Sequence, residues 1–166
     1  GQTGPWGHNG NATSFSSVVM AAINNHNSTG QPNHPDAAAL VTGFFLNLDP
    51  PDSIYKAING SLGQQALQGR VLFHTQLGCN SCHSAPLFIP APPSPRTIQA
   101  GIGTGLVPAN VPSLRGIWAT APYLANGSAA SLRDVLTLNP DDLHGQLCNG
   151  LSSEQIDQLV AYLQTL

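Results

Sequence analysis

Charge is scarce in this sequence. Asp, Glu, Lys and Arg make up 8% of the 166 residues, against about a quarter in an ordinary soluble protein. The 5 Lys and Arg residues form no cluster and the net charge is −3, so nothing favours binding to nucleic acid or to an anionic membrane. No apolar run is long enough to cross a bilayer. The chain opens at Gly1 without a signal peptide, which predicts either a processed protein or a fragment.

The apolar residues of the chain recur mainly at helical spacing, and this pattern predicts a mainly α fold with long loops. Start and stop signals predict helices at residues 13–25, 35–48, 64–76 and 131–138, and a last one that follows residue 152. Ser152 with Gln155 three residues later is a capping box for that last helix. Residues 84–113 are rich in Pro and Gly, which predicts an ordered loop with little room for a helix.

The motif that carries chemistry is Cys79-Asn80-Ser81-Cys82-His83. Cysteines at this spacing followed by His are typical of covalent haem attachment: two thioether bonds hold the macrocycle and the His binds its iron. A thioredoxin-type redox pair uses the same spacing but requires a βαβ context that the sequence lacks. A structural zinc site requires four ligands, and no second pair is present. The motif therefore predicts one covalently bound haem c, with His83 as proximal ligand.

The chain has 3 cysteines, an odd number. The attachment motif uses two of them. Cys148 is then expected to be either buried and inert or bonded to something outside this chain.

An internal repeat suggests how the chain is organised. Residues 4–15 parallel residues 121–132, and each copy is followed by a short helix, a loop that contains a His, and a further helix. Only the second copy has an attachment motif upstream. We infer that residues 1–60 are the remnant of a preceding haem-type domain plus a linker, and that residues 61–166 are a c-type cytochrome domain. The alternative is chance similarity between two Asn-Gly turns.

The stretch Val111-Pro112-Ser113-Leu114-Arg115-Gly116-Ile117-Trp118-Ala119-Thr120-Ala121-Pro122-Tyr123, with Asn126-Gly127-Ser128 after it, resembles the C-terminal domain of bacterial di-haem cytochrome c peroxidases. Gly69-Arg70-Val71-Leu72-Phe73 and Ala85-Pro86-Leu87-Phe88, on either side of the motif, are similar to the opening of that domain. The resemblance covers residues 60–166 well. It implies a cytochrome c-like helical domain around one covalently bound haem, in which Gly69 packs against Tyr162 at a helix crossing.

The resemblance also implies a set of haem contacts. Phe88 and Trp118 would form pocket walls, Tyr123 belongs to the same loop, and Arg115 would hydrogen-bond a haem propionate unless it is a surface residue. Backbone carbonyls matching Thr120 and Pro122 can hold calcium between two domains in the family, a site that would need the full partner domain. Two departures stand out: Ala125 replaces the usual His, and no motif exists for the peroxidatic haem of the family's N-terminal domain.

The distal ligand of the haem iron is open from the sequence. In the family it often follows the helix that begins near Leu132 and is often Met, but Met20 is the only Met here. Residues 133–148 offer His144 and Cys148 instead, and we predict His144, in a loop, as the distal ligand. His26 is its approximate counterpart in the first repeat; we read it as a surface residue, as we do His34 and His74. His8 is expected to cap its Asn-Gly turn.

The predicted function is electron transfer by a single low-spin haem, which would make the chain no enzyme in its own right. One alternative is a peroxidase-like reaction at an open iron, although the only Glu, Glu154, belongs to a helix cap. Another is a subunit or fragment of a larger di-haem protein. A redox partner protein is expected, and another haem-bearing chain is a further candidate. Haem attachment and the polar surface predict an extracytoplasmic location, periplasmic or secreted.

Overall fold

A computed structural model describes residues 12, 14–26, 36–49, 51–90, 97–102, 105–124, 126–138 and 143–166. In these residues the fold is mainly helical, as the sequence predicts. The α-helices are α1 Phe15–His26, α2 Ala37–Leu46, α3 Gln64–Val71, α4 Leu132–Thr137, α5 Leu143–Cys148 and α6 Ser153–Leu163. No helix in the described ranges is long and apolar enough to cross a membrane.

The core lies where α3 and α6 cross. These two helices pack together more extensively than any other pair of helices in the described residues. Phe73 and Leu159 are almost completely buried, with 2% and 1% of their surface exposed. The same cluster continues through α4 and α5 to the haem motif, with these buried members: Leu72, Leu114, Leu132, Leu136, Cys148, Ile156, Tyr162 and Leu163.

The crossing depends on Gly69 of α3. A Cβ atom at this position would lie 2.9 Å from the Cβ of Tyr162 and closer still to the carbonyl oxygen of Gln158. Only a residue without a side chain lets the two backbones approach this closely. The expected packing of Gly69 against Tyr162 is therefore confirmed.

Local sequence signals account for several helix ends. The capping box at Ser152 is confirmed: its hydroxyl accepts from the Gln155 amide at 3.2 Å, and the Gln155 side chain accepts from the Ser152 amide at 2.9 Å. Ser131 and Asp134 form the same arrangement at the start of α4. A cap of this kind stabilises a helix by roughly 1 kcal/mol.

The third predicted helix differs from the expectation. It is α-helical only to Val71 and continues as a π-helical turn over Leu72–Gln76, in which the Leu77 amide donates to the Leu72 carbonyl at 2.9 Å. Periodicity cannot separate these two forms, because the π turn adds one residue per turn over a very short stretch. Val71, which the helical pattern places on the apolar side, is exposed.

The Pro- and Gly-rich region also contains an element that the loop prediction did not include. Strand β1 (Thr97–Ile102) pairs antiparallel with β2 (Gly105–Asn110). Pro108 lies within β2, and Pro argues against a central strand. In a two-stranded ribbon both strands are edges, which is where Pro is tolerated.

Part of the organisation proposed from the sequence lies outside the described residues. The first copy of the repeat falls on residues 4–15, of which only 12, 14 and 15 are described, and His8 and His34 are outside. The division at residue 60 therefore stays a prediction. The segment before α3 contacts the end of α6, because the buried Ser53 hydroxyl donates to the Gln164 carbonyl.

Candidate haem-binding site

The Cys-x-x-Cys-His segment forms a tight turn directly after the π-helical turn. Gly78 has a φ of 65°, a left-handed conformation that reverses the chain and suits Gly. The amides of Cys82 and His83 then both donate to the Cys79 carbonyl, at 3.1 and 2.9 Å. The turn brings two half-buried cysteines and a buried His close together. This is the compact arrangement that two thioether bonds and an iron ligand require.

His83 is held in a defined orientation. Its Nδ1 lies 3.3 Å from the carbonyl oxygen of Phe88. A histidine whose Nδ1–H donates to a carbonyl presents Nε2 as a metal ligand. Burial lowers the pKa of His83, although the Phe88 and Pro112 carbonyls oppose that effect. The imidazole is therefore neutral at neutral pH, the form that binds a metal ion.

The loop that carries Phe88 is itself fixed. Phe88 has a φ of 53°, which is uncommon for a residue with a bulky side chain. Its carbonyl accepts from the Leu114 amide at 3.3 Å as well as from His83, and the Ser113 hydroxyl donates to the neighbouring Leu87 carbonyl at 2.6 Å. The geometry around His83 thus depends on two separate loops, residues 84–89 and 111–114.

The Cys79 thiol lacks the lowered pKa that a redox-active pair requires. Burial, and to a smaller extent the nearby Cys148, raise the pKa of the Cys79 thiol to about 11. Catalytic thiols of the thioredoxin type have a lowered pKa, because the thiolate is the nucleophile. In the described part of the chain, no group of three or more His, Cys, Asp or Glu residues could hold a metal ion. Both rival interpretations of the motif therefore lack structural support.

His144 lies near His83, but in a different setting from the one predicted. It is half-buried on α5, a short helix, and not in a loop. Six residues with Gly145 among them are too few to show helical periodicity, which explains the error. His144 is close enough that its charge lowers the pKa of His83. His26, in contrast, is exposed at the end of α1, and Met20 of the same helix is 41% exposed.

His74 was expected to be exposed and is half-buried instead. Its Nε2 lies 3.0 Å from the hydroxyl of Tyr162. No local sequence pattern indicates this contact, because the two residues belong to different helices. The contact gives the His74 imidazole and the Tyr162 hydroxyl a hydrogen-bond partner at the α3–α6 crossing.

The remaining predicted haem contacts are distributed around the same loop. The Tyr123 hydroxyl donates to the Ile117 carbonyl at 2.9 Å and so closes the loop on itself. Trp118 packs edge-on against Tyr55, with ring centroids 6.3 Å apart. Its indole nitrogen is buried and has no hydrogen-bond partner in the described residues. Arg115 is exposed. The roles of these residues toward a haem, and the calcium site at Thr120 and Pro122, stay predictions.

These observations fit a haem c. Such a cofactor needs a neutral, oriented imidazole, two thiols on one turn and an apolar surface. The apolar surface is the cluster of α4, α5 and α6. A buried indole N–H is costly without an acceptor, and a carboxylate such as a haem propionate would supply one. Sequence reasoning missed the Phe88 and Pro112 carbonyls and the proximity of Cys148 to Cys79, because backbone contacts and long-range neighbours leave no local pattern.

Comparisons with known proteins agree with this fold. The profile of a family described as RoxA-like, cytochrome c-like matches residues 110–142. The search of curated proteins gave no significant match. Among solved structures, hydrazine synthase of Kuenenia stuttgartiensis, pressurised with xenon, aligns with a TM-score of 0.72 and 20% identity over 93% of this chain and 63% of that one.

A second solved structure, a MauG-like protein associated with microbial copper homeostasis, aligns with a TM-score of 0.64 and 19% identity. The alignment covers 96% of this chain and 68% of that one, so the present chain spans about two thirds of the length of both structures. At these identities the likeness establishes the fold. The described helices, the matched profile and the two structural neighbours together show that this chain has a cytochrome c-like fold.

Proposed function

We propose that the chain is an electron-transfer protein with one haem, attached through Cys79 and Cys82 and ligated by His83 and His144. The observation that carries the proposal is the position of His144 on α5, within electrostatic reach of a buried and oriented His83. A bound haem would supply one-electron exchange between ferric and ferrous iron. Two imidazole ligands favour a low-spin iron with no open coordination position, which suits transfer better than catalysis.

The surroundings of His83 support transfer over a peroxidase-like reaction. Peroxide chemistry needs an acid–base group next to the open side of the iron. Among the described residues, no carboxylate shifts the pKa of His83. Glu154, the only Glu of the chain, is exposed in the first turn of α6. We therefore place peroxidase-like activity second.

The axial-ligand proposal predicts a change of spin state in one variant. His144→Ala is expected to convert most of a low-spin ferric spectrum into a high-spin one, because the iron loses its sixth ligand. His26→Ala is the matched control, since it removes an exposed His that belongs to another helix. An unchanged spectrum of His144→Ala would reject His144. If Cys148→Ser converts the spectrum to high spin and His144→Ala does not, the distal ligand is the buried Cys148 thiol, four residues after His144 on α5.

A second proposal concerns assembly, and α2 is the observation that favours it. This helix exposes large apolar side chains, with Leu40, Phe44 and Phe45 each at least half exposed. An apolar surface of this kind marks an interaction site more often than a free surface. The chain also spans only 63% of the hydrazine synthase chain and 68% of the MauG-like chain. We propose that it works within a larger peroxidase-like assembly, in an extracytoplasmic compartment.

The assembly proposal predicts a mass above that of one chain. Light scattering of the purified protein should give at least a dimer at micromolar concentration. Phe44→Asp should reduce that mass, because a carboxylate on the apolar surface of α2 opposes association. Met20→Asp, a charge on an exposed residue of α1, is the control. A single-chain mass for the natural protein would contradict self-association through α2.

A further inference from the structure

A cavity lies beside the predicted haem site, between the segment before α3 and the α3–α6 crossing. Its volume is about 370 Å³. Apolar walls come from Leu62, Phe88 and Tyr162. Phe88 connects the cavity to the predicted haem site, because it lines the cavity and its carbonyl accepts from the His83 imidazole. The cavity is thus a neighbour of the predicted haem site, and it shares Phe88 and Arg115 with the residues predicted to contact the haem.

The charge of this lining is unusual for the chain. Lys56, Arg70 and Arg115 all contribute to it. They are three of only 5 basic residues in the whole sequence. Lys56 is half-buried, whereas Arg70 and Arg115 are exposed. Because three positive charges line one cavity, a bound anion would be attracted by all three.

Among the described residues, no ion pair neutralises these three cations. The single ion pair in the described ranges joins Arg133 to Asp157, on the outer surface. Asp52 is the one acidic side chain of the cavity lining, and it forms no ion pair with any of the three cations. Arg70 is close enough to Tyr162 for its charge to lower the pKa of that phenol, although burial raises it more strongly. Arg70 therefore lies close to Tyr162, and both residues line the cavity.

We propose that this cavity binds a small anion with several charges, of the pyrophosphate or tricarboxylate class, through Lys56, Arg70 and Arg115. A guanidinium group presents paired N–H donors that match the oxygens of a phosphate or a carboxylate. The apolar walls exclude water from one side of the ligand and so strengthen the charge interactions. The inference goes beyond electron transfer and does not depend on which residue binds the iron.

Calorimetric titration of the haem-loaded full chain tests the proposal. Pyrophosphate and citrate are the two probes, each at an ionic strength of about 0.1 M, where the Debye length is about 10 Å. We expect saturable binding of at least one, and the stronger binder identifies the class. Arg70→Gln and Lys56→Gln should each weaken it about tenfold, the effect of losing one hydrogen bond to a charged group. Asp52→Asn should strengthen it.

Arg133→Gln is the matched control. It removes one positive charge, as Arg70→Gln does, but at a residue that already pairs with Asp157. It should leave affinity unchanged within about twofold, since long-range charge effects are weak beyond the Debye length. Equal weakening by Arg133→Gln would show a response to net charge alone and overturn the proposal.

Two further outcomes would also overturn it. One is the absence of saturable heat with both probes. The other is absent binding together with a shifted Soret band in Arg70→Gln, which would assign the three cations to the haem propionates. Because the proposed electron transfer is read from the spectrum and anion binding from the titration, either proposal can fail without the other.

Discussion

Replacing both Cys79 and Cys82 by Ser is expected to abolish covalent haem attachment. A hydroxyl does not replace a thiol in forming a thioether to a vinyl group, so no bond would survive denaturation. The change is small in volume and the turn is held by backbone hydrogen bonds from Cys82 and His83 to Cys79, which serine preserves. Haem staining after denaturing electrophoresis should fall from strong to undetectable, with protein produced in a compartment that performs haem attachment.

The third cysteine provides the control for this experiment. Cys148→Ser removes a buried thiol near Cys79 without touching the motif. It should keep full haem staining. Staining that persists in the double variant, or an equal loss in Cys148→Ser, would contradict attachment through Cys79 and Cys82.

Gly69→Ala is expected to lower the free energy of unfolding by about 2–3 kcal/mol, the usual cost of forcing an added group into a packed core. The added Cβ would approach the Tyr162 Cβ to 2.9 Å, and the Gln158 backbone carbonyl more closely. Neither can move aside without separating α3 from α6. Urea unfolding of the haem-loaded protein, followed by far-ultraviolet circular dichroism, measures the change.

Gly43→Ala is the matched control because Gly43 is also a helical glycine. A Cβ at this position of α2 would meet no atom within 4 Å. Alanine there should therefore be neutral or stabilise by up to about 1 kcal/mol through its higher helix propensity. Stability of Gly69→Ala equal to that of the natural protein would mean that the two helices do not cross as closely as described.

The parts of the fold that could be predicted are those with local causes. The capping box of α6 depends on residues three positions apart, and Gly69 is recognisable because a glycine within a helix usually has a packing reason. The π-helical turn, the hairpin at Thr97–Asn110 and the short helix α5 were missed. Each depends on hydrogen bonds or packing that a pattern of apolar residues does not encode.

The candidate site shows the same division. The attachment motif is contiguous, so its chemistry could be read from five residues. The approach of α5 to His83 and the convergence of Lys56, Arg70 and Arg115 join positions far apart in the chain. Only the fold brings such residues together. We predicted His144 as a ligand from its position after α4 in the sequence. The sequence alone could not show that His144 lies near His83, which is the observation that now supports the assignment.

The ferric and ferrous absorption spectrum of the purified natural protein tests the central proposal most directly. It reports whether haem is present, its spin state and the type of axial ligand. One haem with two imidazole ligands predicts a Soret band and a low-spin spectrum in both oxidation states, at one haem per chain. A protein without a Soret band, or a high-spin ferric spectrum, would contradict the account.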